Sequence, residues 1–415
     1  MKKVAHVIIK FSELHWGGAE EYILNVTMEL NNRGNFQCDV LTLNVFDEKK
    51  NDVIRGCKVK RFDYFYPYIG KKNKEEFARR AVGAISFSLM KELRNYDLVH
   101  LHVHNSLTTS LAFYCKLMRI PFIIHIHSPY LEEPEFRNNV LVANSDNKKL
   151  LSPLGDIVRQ IIRAFFSSKK AVHNADLLLW ANGIDAQIFK EKYPQKKSFW
   201  MPNGVDIKKF SFGNGEEFRR KFDLINKKII LCVGNIYYIK NQIFLLKMLK
   251  ELLKYQKDIK MVLIGKVADS VYFEKMRKYI MANNLEENVL LIKGLSHDSN
   301  DLINAYAAAD LFVLPSLYEA FPLVLVEALA SKTLCIANNV GGIPCIIKDK
   351  FNGLIFNMSD EAIEQIAKQI YEIMKDSQQS NVLCNNGYNS VLKNFTWEQV
   401  AKQLEEKYFM ICEGE

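Results

Sequence analysis

The stretch DLFVLPSLYEAFPLVLVEALAS, residues 310–331, is where the reading of this chain begins. Leu311 to Leu314 form a short apolar run closed by Pro315, which suits a buried strand better than a helix. A loop carrying Glu319 follows. Pro322 then falls where the first turn of a helix begins, since its missing N–H and fixed φ do no harm there. The start of that helix leaves the N–H groups of Leu323 and Val324 without intrahelical partners, an anion site suited to a diphosphate. Glu327, one turn further in, would accept hydrogen bonds from neutral hydroxyls such as those of a ribose, and Glu319 would hold sugar hydroxyls. Taken alone, the two acids also fit ordinary carboxylates favoured near a helix start by the macrodipole.

Outward from this unit, short β-rich runs alternate with longer amphipathic stretches from one end of the chain to the other, the signature of βαβ units and a mainly parallel sheet. Strands are predicted at residues 4–9, 36–43, 58–62, 98–102, 122–126, 177–180 and 198–201, with helices over 19–33, 75–93 and 108–118. A second series runs through 229–233, 261–264, 289–292, 311–314, 333–337 and 354–356. The fold class is therefore α/β, as two doubly wound Rossmann-like domains facing each other across a cleft. A turn-rich segment from Pro202 to Gly215 separates the two series. The predicted organisation is residues 1–203, residues 204–395, and a C-terminal helix over 396–415 packing back on the first domain. Open α/β sheets bind ligands at the carboxyl ends of their strands, so the chemistry is sought there.

The chain has 415 residues, 48% hydrophobic and 25% charged, which suits two globular cores and excludes a disordered or fibrous protein. No apolar run approaches the ~20 residues that span a bilayer. The first ten residues read as a buried strand rather than a signal peptide. Eight cysteines are scattered without a C-x-x-C pair, which points to a reducing cytoplasm and no disulfides. A net charge of +9 admits nucleic acid, an anionic membrane or anionic substrates as partners. No nucleic-acid motif accompanies the charge, so nucleic acid is the weakest of the three. G-x-G-x-x-G is absent and no acid closes the second strand, which argues against a nicotinamide dehydrogenase.

The segment P-S-x-x-E-x-F-x-L-x-x-x-E-A, residues 315–328, resembles the E-x7-E signature of the retaining family 4 glycosyltransferases, with Glu319 and Glu327 on its two acids. Four further matches occur in the family's order: MPNGVD (201–206) with Phe210, ILCVGNIYYIKN (230–241) with Lys240 as the matching lysine, the Gly17-Gly18-Ala19-Glu20 helix start, and Phe395 to Glu398. The resemblance implies the two-Rossmann-domain GT-B architecture and transfer of a sugar from a nucleotide diphosphate donor with retention. It implies Glu319, Lys240 and His127 as catalytic residues. Glu327, Asn235, Leu323, Val324, Gly17, Gly18, Gly294 and Leu295 would bind the donor, with base contacts near the last two. No cofactor and no metal are expected, since Lys240 and the helix start provide the positive potential.

Histidines alternate at His100, His102 and His104 on one strand and at His125 and His127 on the next, so each set shares a sheet face. A zinc site is disfavoured because no cysteine or carboxylate completes a ligand set nearby. By resemblance of PFIIHIH (121–127) to the family strand, His127 faces the transferred sugar and His125 is a packed residue. His127 otherwise serves as a strand cap bonded to backbone.

Four positions depart from the family pattern. Asn235 stands where an arginine is usual, so half of the cation pair is missing. Ala320 and Pro322 replace glycines, and Cys345 occupies a position that is often glutamate. The acceptor is expected to be a glycan or a lipid-linked molecule. The basic amphipathic segment from Ile157 to Val172 suits peripheral contact of a cytoplasmic protein with an anionic inner-membrane face, or equally a core-facing helix with its cations in water. Rival readings are a sugar-nucleotide epimerase or phosphorylase on the same fold, and a non-catalytic sugar-nucleotide binding module.

Overall fold

The computed structural model describes residues 1–13, 16–45, 49–65, 84–102, 106–127, 168–296 and 298–413. The chain divides into two compact units, one of Met1–Pro202 with Val400–Glu415 and the other of Asn203–Gln399. His104 and residues 157–167 of the segment from Ile157 to Val172 lie outside the described residues. Among those described, no helix is long and apolar enough to cross a membrane, and all eight cysteines are free thiols.

The first unit holds strands β1 (Lys2–Val7), β2 (Phe36–Leu43), β3 (Asn51–Ile54), β4 (Cys57–Phe62), β5 (Leu98–His102), β6 (Phe122–Ile126), β7 (Leu177–Trp180) and β8 (Ser198–Trp200), in the spatial order β3-β4-β2-β1-β5-β6-β7-β8. Every pairing is parallel except β3 with β4. That hairpin is absent from the sequence reading. Its turn is Arg55-Gly56, with φ 47° and 90°, so both residues take the left-handed conformation of a tight two-residue hairpin. Arginine is an unusual occupant there, which hid the turn. The predicted helix over 75–93 is corrected in its described part. Ser86 accepts a hydrogen bond from the Leu89 N–H (3.2 Å) and starts a helix at Phe87–Leu93.

The last helix, Trp397–Cys412, carries Val400, Leu404 and Tyr408 into the core of the first unit. Glu405 on it accepts from Arg33 Nε and Nη2 (2.9 and 2.8 Å) and from Asn35 Nδ2 (3.0 Å), a planar fork at the end of the Gly18–Arg33 helix.

The second unit holds β9 (Lys228–Val233), β10 (Ile259–Ile264), β11 (Val289–Ile292), β12 (Leu311–Leu314), β13 (Cys335–Asn338) and β14 (Leu354–Phe356), all parallel, in the order β11-β10-β9-β12-β13-β14. Strand β13 starts two residues later than predicted, because the Thr333 hydroxyl donates to the Tyr306 carbonyl (2.8 Å) and holds that residue in the loop. Strand order reverses once in each sheet, between β1 and β5 and between β9 and β12. A crevice opens at the carboxyl ends of such strands because the connecting helices leave to opposite faces.

The carboxyl ends of β9 and β10 are drawn together by two glycines. A Cβ on Gly265 would lie 1.9 Å from the Gly234 carbonyl oxygen. Gly265→Ala is therefore expected to force these strand ends apart and cost about 1–3 kcal/mol, the usual range for overpacking. The check is thermal unfolding, where a melting temperature equal to that of the unchanged protein would contradict the close approach.

Candidate active site at the strand ends

The reversal point of the second sheet brings Lys240, from the segment after β9, against Glu319, from the loop after β12. Lys240 Nζ donates to Glu319 Oε1 at 2.5 Å, and the Ser316 hydroxyl donates to the same oxygen at 2.6 Å. Burial works against the Lys240 ammonium, but the Glu319 carboxylate outweighs it and holds the lysine above its ordinary pKa. Backbone contacts fix both loops. The Leu317 N–H donates to the Ile239 carbonyl (2.8 Å), and the Gly342 N–H to the Glu319 carbonyl (2.9 Å). Gly341, at φ +53°, passes so close that a Cβ there would sit 2.0 Å from the Glu319 carbonyl oxygen. The glycine pair at 341–342 thus braces the acid from behind, a role the sequence reading did not assign.

The helix after the Glu319 loop spans Leu323–Ala330. Pro322 is its N-cap rather than a first-turn residue, a correction that follows from its extended ψ of 107°. Leu323 and Val324 are the first helical residues, half-buried, where N–H groups have no intrahelical partner. Glu327 is buried, and its Oε2 accepts the Tyr306 hydroxyl at 2.7 Å. That oxygen is therefore already engaged by protein.

Asn235 directly follows Gly234 at the end of β9, and its carbonyl accepts from Gln242 Nε2 (2.9 Å). Its neighbour Ile236 donates a backbone N–H to the Lys266 carbonyl (2.8 Å). Lys266 is exposed, and its Cγ lies 3.3 Å from where a Cβ of Gly294 would be. A lysine at the end of β10 thus stands beside the position that lacks its arginine. Gly294 takes φ +74°, and the half-buried Leu295 follows it. The second unit therefore collects Lys240, Glu319, Asn235, Leu323, Val324, Gly294 and Leu295 around its strand ends, with Glu327 behind them.

Gly17, Gly18 and His127 belong to the first unit. Gly17 is the N-cap of the Gly18–Arg33 helix, and a Cβ on it would come within 3.0 Å of Glu20 Oε2. His127 closes a stack of histidines on one sheet face. His6 on β1 lies in register with His100 on β5, and His102 with His125 on β6. The rings of His100 and His102 stack at 4.1 Å, and Tyr22 meets His125 edge-on at 4.7 Å. His127 Nε2 pairs with His102 Nδ1 at 3.0 Å rather than capping the strand through backbone. His6 was missed in the sequence because only strand register brings it to this face. With it, two triples, His6–His100–His102 and His102–His125–His127, each offer three ring nitrogens within 4.8 Å of one another.

Comparison with known proteins agrees with this architecture. Residues 16–209 match the family profile described as Glycosyltransferase Family 4, and residues 214–390 match that described as Glycosyl transferases group 1. The chain belongs to the family 4 glycosyltransferases. It is thus a glycosyltransferase, and nucleotide sugars are its donors. Among its relatives, the UDP-Gal:alpha-D-GlcNAc-diphosphoundecaprenol alpha-1,3-galactosyltransferase of Escherichia coli is 26% identical, over 78% of this chain and 77% of that one. The D-inositol 3-phosphate glycosyltransferase of Corynebacterium glutamicum is 24% identical, over 94% and 91%. Among solved structures, sucrose-phosphate synthase of Thermosynechococcus elongatus superposes with a TM-score of 0.72 at 18% identity, covering all of both chains. HepE of Anabaena, in complex with UDP, gives 0.71 at 17%, covering 98% and 99%. These last two show the fold, which is GT-B.

The histidine stack has a consequence for acid stability. Burial lowers the pKa of His6 to about 3 and holds His100, His102 and His125 well below the ordinary value, so the folded protein keeps them neutral. The unfolded chain binds protons on all four below about pH 6.5, where the folded state does not. Stability is complete above that pH and falls as the medium is acidified toward 3, by up to about 1.4 kcal/mol per pH unit for each histidine. Scanning calorimetry from pH 7.5 to 4.5 should show one unfolding transition dropping steeply below about pH 6. A transition temperature that stays level down to pH 5 would contradict the neutral stack.

Proposed function

We propose that this enzyme transfers a hexosyl group from a UDP-sugar to a glycan or lipid-linked acceptor with retention of anomeric configuration, without a divalent metal. The observation that carries this reading is the part-buried Lys240–Glu319 pair at the strand-order reversal, one loop ahead of a helix start. In the proposed reaction the donor diphosphate lies between Lys240 and the N–H groups of Leu323 and Val324. Lysine then meets the charge that grows as the bond from the anomeric carbon to phosphate oxygen breaks. The acceptor oxygen attacks the same face, and the departing phosphate oxygen takes its proton. Glu319, freed from Lys240, holds sugar hydroxyls, and the Glu327 carboxylate meets the ribose. Gly294 and Leu295 flank the base, and Lys266 supplies charge in place of an arginine at 235. The roles of His127, Gly17 and Gly18 rest on motif resemblance.

The choice of uridine is supported by the UDP-Gal donor of the Escherichia coli relative and the UDP held by HepE. The diphosphoundecaprenol acceptor of that relative supports a lipid-linked acceptor at the cytoplasmic membrane face, in assembly of a polysaccharide.

A thermal-shift panel of nucleotide sugars tests the donor. The true donor at a hundred times its dissociation constant adds about 2.7 kcal/mol of stability. Lys240→Ala should lower kcat about a hundredfold or more, the range for removing one stabiliser of developing charge, while Glu327→Ala chiefly weakens donor binding. Unchanged kinetics in both variants would remove the site assignment. Lys266→Ala should weaken UDP binding by about tenfold, as loss of a charge-assisted contact does, and Asn235→Arg in the same chain should restore it. If the second substitution restores nothing, Lys266 is not the replacement cation.

A further inference from the structure

The histidine stack is wired as well as packed. His127 Nε2 meets His102 Nδ1 at 3.0 Å, and His102 Nε2 meets His6 Nδ1 at 2.9 Å. His6 Nε2 meets the Tyr408 hydroxyl at 3.2 Å, and that hydroxyl meets His100 Nδ1 at 2.7 Å. Four links join five groups from the end of β6 to the C-terminal helix. At neutral pH each imidazole carries one ring proton and the tyrosine carries one, because burial keeps these histidines uncharged and pushes the Tyr408 hydroxyl well above its ordinary pKa. Each link holds one proton, so four of the five protons are placed within the chain and the fifth must sit at one end.

The two ends differ. His100 Nε2 is buried and has no hydrogen-bond partner among the described residues, whereas His127 is the member that is not fully buried. A fifth proton on His100 would leave a buried N–H donor with no acceptor, a rarer and costlier defect than an unused lone pair. On His127 Nδ1 the same proton meets solvent or substrate. All four links then point one way: His100 donates to Tyr408, Tyr408 to His6, His6 to His102 and His102 to His127.

We propose that His102, His6, Tyr408 and His100 are positioning residues that lock His127 in its Nδ1–H tautomer, so that it offers substrate a neutral hydrogen-bond donor and not a base. This deepens the proposed function, since it rests on His127 serving the transferred sugar. An imidazole that donates through Nδ1 holds a hydroxyl oxygen in place without taking the acceptor's proton, which agrees with that proton leaving on the phosphate.

The test reads the tautomer directly, in ligand-free protein, and so stands apart from any assay of transfer. Protein labelled with [15N]histidine is examined by long-range 1H–15N correlation at pH 7.5, with His127 assigned by the signals lost in His127→Gln. Expected is a protonated, pyrrole-type Nδ1 and a pyridine-type Nε2. A protonated Nε2, or equal mixing of the two forms, overturns the proposal. His102→Leu should release His127 to the Nε2–H form that an imidazole favours in water, whereas His125→Leu removes a ring of the same size from the same face, outside the four links, and should leave Nδ1 protonated. An identical response to both substitutions assigns the stack to packing alone and overturns the relay. A stoichiometric divalent metal in the purified protein, found by elemental analysis, overturns it too, because a ligated nitrogen has no lone pair left for the chain.

Discussion

Parallel pairing constrains everything else in this molecule. A parallel strand cannot return by a tight turn, so each crossover passes over a sheet face, and the point where strand order reverses leaves one gap that no crossover covers. In the second unit that gap lies between β9 and β12. The residues after these two strands are the ones that can reach each other there, and Lys240 and Glu319 do so. Gly234 and Gly265 hold the neighbouring strand ends within backbone contact, and Gly341 does the same for the Glu319 loop. Replacing any of these glycines would move a charged partner, not merely a loop.

The ion pair so formed is an energetic choice as well as a geometric one. Removing a lysine and a carboxylate from water is expensive, and their attraction offsets the cost only when geometry is good and further hydrogen bonds are made. Ser316 supplies one of those bonds. In the proposed reaction a diphosphate competes with Glu319 for Lys240, so the lysine exchanges one anion for another and is never left bare. The carboxylate released in that exchange finds the sugar hydroxyls. Such a site is charged but quiet until its substrate arrives. The first unit follows the opposite course: its buried histidines stay neutral, and His6, His100 and His102 are linked with Tyr408 in one chain that has His127 at its open end.

Much of this was legible in the amino-acid order, for identifiable reasons. Strands such as Phe36–Leu43 and Leu311–Leu314 are short β-rich runs bounded by polar or turn residues, and local pattern suffices to place them. The Glu319–Glu327 spacing and Lys240 are visible because short motifs carry them. What stayed hidden depends on register or on distant partners. His6 and Tyr408 are separated by 402 positions and meet only because β1 lies beside β5 while the last helix covers that sheet. Tyr306 reaches Glu327 from a different helix, and Lys266 lies next to Asn235 only through the pairing of β9 with β10. The Arg55-Gly56 turn broke a composition rule and concealed a whole strand.

The central claim is that the second unit's strand ends hold a nucleoside diphosphate through Lys240 and the Leu323–Ala330 helix start without help from a metal ion. Calorimetric titration of the protein with UDP, GDP and ADP in excess EDTA tests this most directly. The account predicts one site per chain for at least one of the three, an affinity that magnesium does not improve, and weaker binding as salt is raised. No binding in EDTA, with binding restored by magnesium or manganese, would contradict it.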